Sequence, residues 1–378
     1  MTRVLFWCDF FWPLIGGVEV LSSRLVPALR DRGHEIEVVS LQEESLPSED
    51  SYHGVPVHRY PITQAVTGRD VQLWTDIRRD VAALKRRFRP EIVHVYHANF
   101  DAIFHLTTAA AHPARTICTL HGTFLDESMT ANGTLSRLFH SADWITSCSV
   151  AALEVTRRQL PMIASRSSVI LNALEPLSVA ATPLPFDPPI LFGAGRLRTN
   201  EKGFDVAIAA MPELLGRFPH LKLIIAGDGW VRADLERQAA EIGVGDSIRF
   251  LGWVHPDRVT DLINEATVVL MPSRVPEGFG LVALQAAQLA RPVVATRVGG
   301  LHEVVVDGET GFLVPNEDSG AMSRAIACLL ANPQRAIGMG QAAKRRADQV
   351  FRWESHVSAY DDLLHRVAAL ANAAVLPA

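Results

Sequence analysis

The chain has 378 residues, 48% hydrophobic and 20% charged, with a formal net charge of −5. That length suits two domains rather than one core, the composition excludes a disordered chain, and the mild charge gives no ground for nucleic-acid binding. Cys8, Cys118, Cys148 and Cys328 lie far apart with no C-x-x-C pair, which argues against a disulfide framework or a zinc site and fits a reducing cytoplasm.

The first twenty residues are apolar but are interrupted by Asp9 and Pro13, with Arg3 the only cation. They read as a buried first strand running into a loop, not a secretory leader. Further short apolar runs follow at 36–40, 92–96, 116–120, 144–148 and 169–171, with helical segments between them. A helix over 18–32 contains Pro27, which should kink it. The helix over 76–89 is basic, with Arg78, Arg79, Lys85, Arg86, Arg87 and Arg89. Such a helix can dock on anionic lipid, although a solvated face is the commoner fate. Pro176, Pro183, Pro185, Pro188 and Pro189 mark a linker over 176–189. Apolar runs resume at 190–194, 221–226, 247–251, 268–271 and 293–296, again alternating with helices. The last helix shows Trp353, Val357, Tyr360, Leu363, Leu364 and Val367 on one side. No stretch reaches the roughly 18 apolar residues of a membrane span.

Buried runs alternating with helices are the pattern of parallel sheets covered on both faces. The expected fold is therefore α/β, with two Rossmann-like doubly wound domains facing each other across a cleft. The expected divisions are 1–175, the linker 176–189, a second domain over 190–350, and a terminal helix over 351–378.

In open α/β sheets ligands sit beyond the carboxyl ends of the strands, and the unusual residues here fall at such ends. Gly16-Gly17 follow the first run, His121-Gly122 the fourth, Gly227-Asp228-Gly229 the run at 221–226, 272–280 the run at 268–271, and Gly299-Gly300 the run at 293–296. Glycines there let backbone N–H groups approach a ligand, and the next helix presents its positive end. Gly278-Phe279-Gly280 opens such a helix, with Leu281 and Val282 placed to meet a diphosphate; Gly16-Gly17 offer a second anion site. Any single glycine pair more often makes only a tight turn. Arg196 and Lys202, flanking Gly195 and Gly203, are candidate phosphate cations, although loop cations are usually solvated.

Absent motifs narrow the chemistry. There is no G-x-x-x-x-G-K-[ST], and Arg198 stands where a dinucleotide fingerprint needs its third glycine. No D-x-D occurs, so a carboxylate-held metal on a diphosphate is not indicated. No metal and no cofactor are expected, and fixed cations would carry that charge.

The run from Pro272-Ser273-Arg274 through Glu277-Gly278-Phe279-Gly280-Leu281-Val282 to Gln285, with Arg291-Pro292, Gly299-Gly300 and Glu303 after it, resembles the retaining GT-B glycosyltransferases that carry an E-x7-E signature, the glycogen synthase-like or group 1 glycosyltransferases. Gly16-Gly17-Val18-Glu19, His121-Gly122-Thr123, Gly195-Arg196-Leu197 with Lys202-Gly203, Asp307-Gly308, Thr310-Gly311 and Phe351-x-Trp353 extend the likeness over nearly the whole chain, in the family's order. The resemblance implies that Arg196 and Lys202 neutralise the donor diphosphate and that the Gly17 loop closes on it. Glu277 would hold sugar hydroxyls, the backbone of Phe279 to Val282 sugar and phosphate, and His121 would lie near the transferred sugar. Gly16, Gly195, Asp228, Gly280 and Gln285 complete the donor set. The terminal helix would cross back to the first domain.

Two positions depart from the family pattern. The second signature glutamate is Gln285, whose amide offers one acceptor and one donor group where a carboxylate accepts two bonds from a ribose diol. Asn172-Ala173-Leu174-Glu175 replaces Asn-Gly-Val-Asp. The implied reaction transfers a hexose with retention from a nucleotide-diphosphate sugar, UDP favoured and GDP the alternative, to a small-molecule, glycan or glycolipid hydroxyl. The expected setting is the cytoplasm, with peripheral contact at the inner membrane face left open. A non-catalytic nucleotide-sugar-binding subunit, a phosphorylase and an epimerase on the same fold stay open as alternatives. His34, His94 and His97 read as structural.

Overall fold

Fourteen strands, alternating with helices, build two separate sheets in the computed structural model, which describes residues 1–97, 99–122 and 133–370. The chain divides into one unit of 1–171 with 354–378 and a second of 172–353. The second unit thus takes in the proline-rich segment, while the helix Trp353–Ala368 belongs almost wholly to the first.

In the first unit the strands are β1 (Arg3–Trp7), β2 (Glu35–Leu41), β3 (Glu49–Tyr52), β4 (Val55–Tyr60), β5 (Ile92–Val95), β6 (Arg115–Leu120), β7 (Trp144–Ser147) and β8 (Ser167–Val169). Their order is β3-β4-β2-β1-β5-β6-β7-β8. All neighbours pair parallel except the β3–β4 hairpin, an antiparallel edge that the sequence reading did not separate from its surroundings. Val4 to Trp7 of β1 and Ile92, Val93 and Val95 of β5 are apolar and enclosed, as in strands covered on both faces. The helix Gly17–Asp31 carries Pro27 within it. The six apolar residues named on the terminal helix are all buried, Trp353 at the boundary of the second unit and the rest in the first.

The second unit has β9 (Ile190–Ala194), β10 (Lys222–Ala226), β11 (Ile248–Phe250), β12 (Val268–Met271), β13 (Val293–Thr296) and β14 (Gly311–Val314). These lie in the order β11-β10-β9-β12-β13-β14, and neighbouring strands pair parallel. The proline-rich segment is tied to the second unit at Thr182. Buried Arg291 donates from Nη2 to Thr182 Oγ1 at 2.7 Å and to Asn264 Oδ1 at 2.8 Å, and Thr182 Oγ1 donates to the Asn264 carbonyl.

The basic helix needs a correction. In Val71–Phe88 the Lys85 ammonium is buried, 3.1 Å from His105 Nδ1 and donating to the His105 carbonyl at 3.0 Å. Composition put Lys85 with its cationic neighbours, whereas it lies on the buried face with Ile77, Val81, Leu84 and Phe88 and packs against the helix Ala102–Thr107. Arg79 pairs with Asp76 and Asp80, and Arg87 with Glu37. Among the described residues no helix is long and apolar enough to cross a membrane.

Candidate active site

Each sheet reverses its winding once, between β1 and β5 in the first unit and between β9 and β12 in the second. The loops that leave neighbouring strands there run in opposite directions and leave a crevice at the carboxyl ends, where open α/β sheets bind ligands.

In the second unit, the loops after β9 and β12 bring Lys202 and Glu277 together. Lys202 Nζ donates to Glu277 Oε1 at 2.7 Å, and the buried Ser273 hydroxyl donates to the same oxygen. A Cβ at Gly195 would lie 3.1 Å from Lys202 Cγ, so the lysine stem crosses that glycine to reach the carboxylate. Arg274 fastens the two loops: its guanidinium makes paired bonds to Asp205 at 2.5 and 2.6 Å, its Nε donates to Glu317 at 2.8 Å, and its backbone N–H donates to the Glu201 carbonyl. Hydrogen bonding to Asp205, followed by that to Glu317, raises its already high pKa, so it is a permanent cation. Arg196, by contrast, is exposed and has no hydrogen bond or ion pair among the described residues. The two cations therefore differ: one charge is held against Glu277 and the other is available.

The helix Leu281–Gln288 starts beside this pair with no side-chain cap, which leaves its first N–H groups for an anion. Gly280 caps it at φ 101°, and a Cβ there would press to 2.5 Å from Leu301 Cδ2. Gly299, at φ 53°, lies so near the chain that a Cβ would come within 2.2 Å of the Glu277 carbonyl oxygen. Its neighbour Gly300 donates its N–H to that carbonyl at 2.7 Å. The glycine pair thus shapes the 277–280 turn from behind. The Phe279 ring is buried edge-on against Phe351, at 5.4 Å and 87°, leaving only its backbone for a ligand. Leu281 and Val282 are half-buried. Gln285, one turn on from Leu281, is half-buried and its amide has no hydrogen-bond partner among the described residues. Asp228 turns its carboxylate to its own loop, accepting from Gly229 N at 2.8 Å and lying 3.4 Å from Arg232 Nη1.

In the first unit, the loops after β1 and β5 contain a cluster that the sequence reading missed. Buried Asp9 lies 3.1 Å from His97 Nδ1 and accepts from Asn99 Nδ2 at 2.6 Å. Beside it, Asp101 accepts from Trp7 Nε1 at 2.6 Å. Burial first, then the charge of Asp9, pushes the Asp101 carboxyl well above its ordinary value. His97, read as structural, thus stands at the functional edge. His94 is structural as expected: it is enclosed, bonded to Thr119 Oγ1 at 2.8 Å, and pushed down to about 3 by burial. Only the strand order singles out these loops, and no local motif announces it.

His121 follows β6 and tilts against Tyr96 with ring centroids 4.5 Å apart. Both its ring nitrogens are buried without a hydrogen-bond partner among the described residues. Burial, then the neighbouring His97, His356 and His94, lowers its pKa well below the ordinary range, so it is neutral. A buried polar group left unpaired costs about 1–3 kcal/mol, which makes His121 a candidate ligand contact. Thr123 of the same motif lies outside the described residues. Gly16 caps the helix Gly17–Asp31 with extended backbone, and a Cβ there would meet the Glu19 carboxylate at 2.2 Å. An anion at this helix end would share it with Glu19.

Comparison with known proteins fits this picture. The sequence pattern of Glycosyl transferases group 1 matches residues 188–332, and that of Glycosyltransferase Family 4 matches residues 15–176. A glycogen synthase of Mycobacterium tuberculosis is 29% identical over 92% of this chain and 90% of its own. The gpi3 subunit of the Schizosaccharomyces pombe phosphatidylinositol N-acetylglucosaminyltransferase is 30% identical over 82% of this chain and 69% of its own. Among solved structures, sucrose-phosphate synthase of Thermosynechococcus elongatus superposes with a TM-score of 0.82 at 21% identity, covering 97% of this chain and 99% of that one. Anabaena HepE, solved with UDP and glucose, superposes with a TM-score of 0.77 at 18% identity over 97% and 100%. The fold is GT-B, and with matches to both halves and across most of its length the chain belongs to the group 1 glycosyltransferases.

Proposed function

We propose that this glycosyltransferase moves a hexose from a nucleotide-diphosphate donor, with UDP favoured over GDP, to an acceptor hydroxyl with retention of configuration and without a catalytic metal. The observation that carries the reading is the Lys202–Glu277–Ser273 constellation at the β9/β12 crevice, beside an uncapped helix start and the available Arg196. Glu277 is an acceptor for sugar hydroxyls. Arg196, Lys202 and the N–H groups of Leu281 and Val282 supply positive potential where charge grows on the leaving diphosphate. Gln285 lies one helical turn beyond, as the contact to the ribose. For the first unit, we assign His121 as an orienting contact to the transferred sugar and Gly16 and Gly17 to the diphosphate. No carboxylate is assigned as a covalent nucleophile. The leaving phosphate accepts the acceptor's proton, and the protein contributes position and charge.

The acceptor is a small-molecule, glycan or glycolipid hydroxyl. UDP as the donor nucleotide has support in HepE, which was solved with UDP, at the level of a shared fold. Incubating the chain with a panel of UDP-, GDP- and ADP-sugars, and following nucleotide release and anomeric configuration by mass spectrometry and NMR, tests the reading. Release of UDP with an α-configured product from an α-donor is expected. Binding without release would favour the non-catalytic alternative, and a sugar 1-phosphate formed with free phosphate would favour a phosphorylase.

A further inference from the structure

At the opposite edge of the first unit's sheet, before β2, lies a cluster that the transferase reading does not use. The helix Gly17–Asp31 ends in a turn through Gly33, at φ 92°, which delivers His34 beneath the terminal helix. That helix presents Asp361 and His365 four residues apart, on one face. His34 Nε2 lies 2.8 Å from Asp361 Oδ1, and His365 Nδ1 lies 3.0 Å from the same oxygen. One ligand atom from each of the three falls within 4.8 Å of the others. We propose that His34, Asp361 and His365 form a zinc site that fastens the terminal helix to the first unit.

The donor set selects the metal class. Two imidazoles and one carboxylate suit a borderline ion such as Zn²⁺, whereas Mg²⁺ and Ca²⁺ require an all-oxygen shell. Metal–ligand bonds of about 2.0–2.1 Å in a tetrahedron place neighbouring ligand atoms about 3.3 Å apart. The two spacings to Asp361 Oδ1, 2.8 and 3.0 Å, need open by a few tenths of an ångström, and the two imidazoles offer ligand atoms within 4.8 Å of each other. The His365 side chain is 54% exposed, so it can make that adjustment, and the fourth position is left to water.

The surroundings fit monodentate ligation. Arg32 Nη1 approaches the other carboxylate oxygen, Oδ2, at 3.3 Å, leaving Oδ1 to face the imidazoles, while Arg32 Nη2 pairs with exposed Glu354. His34 is fully enclosed and its Nδ1 has no partner. This holds whether Nε2 carries a proton or a metal, so ligation leaves no further group unpaired. The cysteines play no part, and the residues meet only because helix and loop, 327 positions apart, are neighbours in the fold.

The test uses the untagged full chain, stripped with chelator and dialysed. Zinc chloride titrated by calorimetry should bind one equivalent with a dissociation constant below about 100 µM, and the melting temperature should rise by about 2 °C or more at saturation. His365→Ala, an exposed substitution, should weaken binding at least about tenfold and abolish the thermal shift. His34→Gln should do the same, and magnesium at the same concentrations should produce neither effect. Uptake as tight in His365→Ala as in the wild type, or no uptake at 100 µM zinc, would overturn the site and return the cluster to a simple ion-paired anchor.

Discussion

Replacing Lys202 by methionine keeps the stem that crosses Gly195 and removes only the charge. At 2.7 Å from Glu277 Oε1, the gross attraction is about 6 kcal/mol at an effective dielectric near 20. Desolvation offsets most of it. The lysine side chain is 24% exposed and the glutamate 14%, between a surface pair worth about 1 kcal/mol or less and a buried one whose disruption costs about 3–5. A loss of about 2 kcal/mol in stability is therefore expected, because among the described residues Glu277 keeps only Ser273. A lysine that also meets the diphosphate has a second role, which the donor reveals. Charge grows on the leaving group in the transition state, so kcat/KM should fall about 100-fold, equivalent to roughly 3 kcal/mol. Calorimetric titration of the donor's nucleoside diphosphate separates the roles. Affinity should drop about tenfold or more in Lys202→Met and hold within threefold in Glu277→Gln, since the diphosphate alone has no sugar for Glu277. A Lys202→Met protein destabilised by about 2 kcal/mol but binding the diphosphate within threefold of wild type would refute the argument and assign the cation to the fold alone.

Other expectations follow from the same geometry. Arg196→Ala, which breaks no hydrogen bond or ion pair among the described residues, should leave the melting temperature unchanged and lower kcat/KM about 100-fold; steady-state kinetics beside calorimetry checks both halves. Turnover should persist in excess EDTA, and complete loss restored by magnesium or manganese would contradict metal-independent transfer. Gln285→Glu should tighten nucleoside diphosphate binding by about 1 kcal/mol, because a carboxylate accepts stronger bonds from a ribose diol; equal affinity for ribose and 2′-deoxyribose ligands in both proteins would show that the side chain does not touch the ribose. Burial lowers the Lys85 pKa from an ordinary 10.5 to about 7. The unfolded chain therefore binds the extra proton between those values, and stability should rise with pH from about 7 towards 10. Lys85→Met should remove that slope, with the largest gain in melting temperature at or below pH 7; parallel slopes in the two proteins would show that Lys85 titrates normally.

Much of this protein is written locally. Buried apolar runs separated by helices require parallel sheets, because a strand covered on both faces cannot alternate polar and apolar residues. The glycines at 278 and 280 and the residues at strand ends mark the functional edge for the same local reason: backbone must approach a ligand there. Strand order is not local. It puts β1 beside β5 and β9 beside β12, and so makes neighbours of Asp9 and His97, and of Lys202 and Glu277, which lie 88 and 75 residues apart. The hairpin of β3 and β4 was illegible because its first strand, Glu49–Tyr52, is short and polar. Lys85 shows the limit in one residue. Its sequence neighbours Arg86 and Arg87 are exposed cations, whereas Lys85 shares a face with Ile77, Val81, Leu84 and Phe88 and is enclosed against His105. Helical period fixes which residues share a face, whereas the partner that arrives on that face, and hence the dielectric around each charge, is decided by contacts between distant parts of the chain.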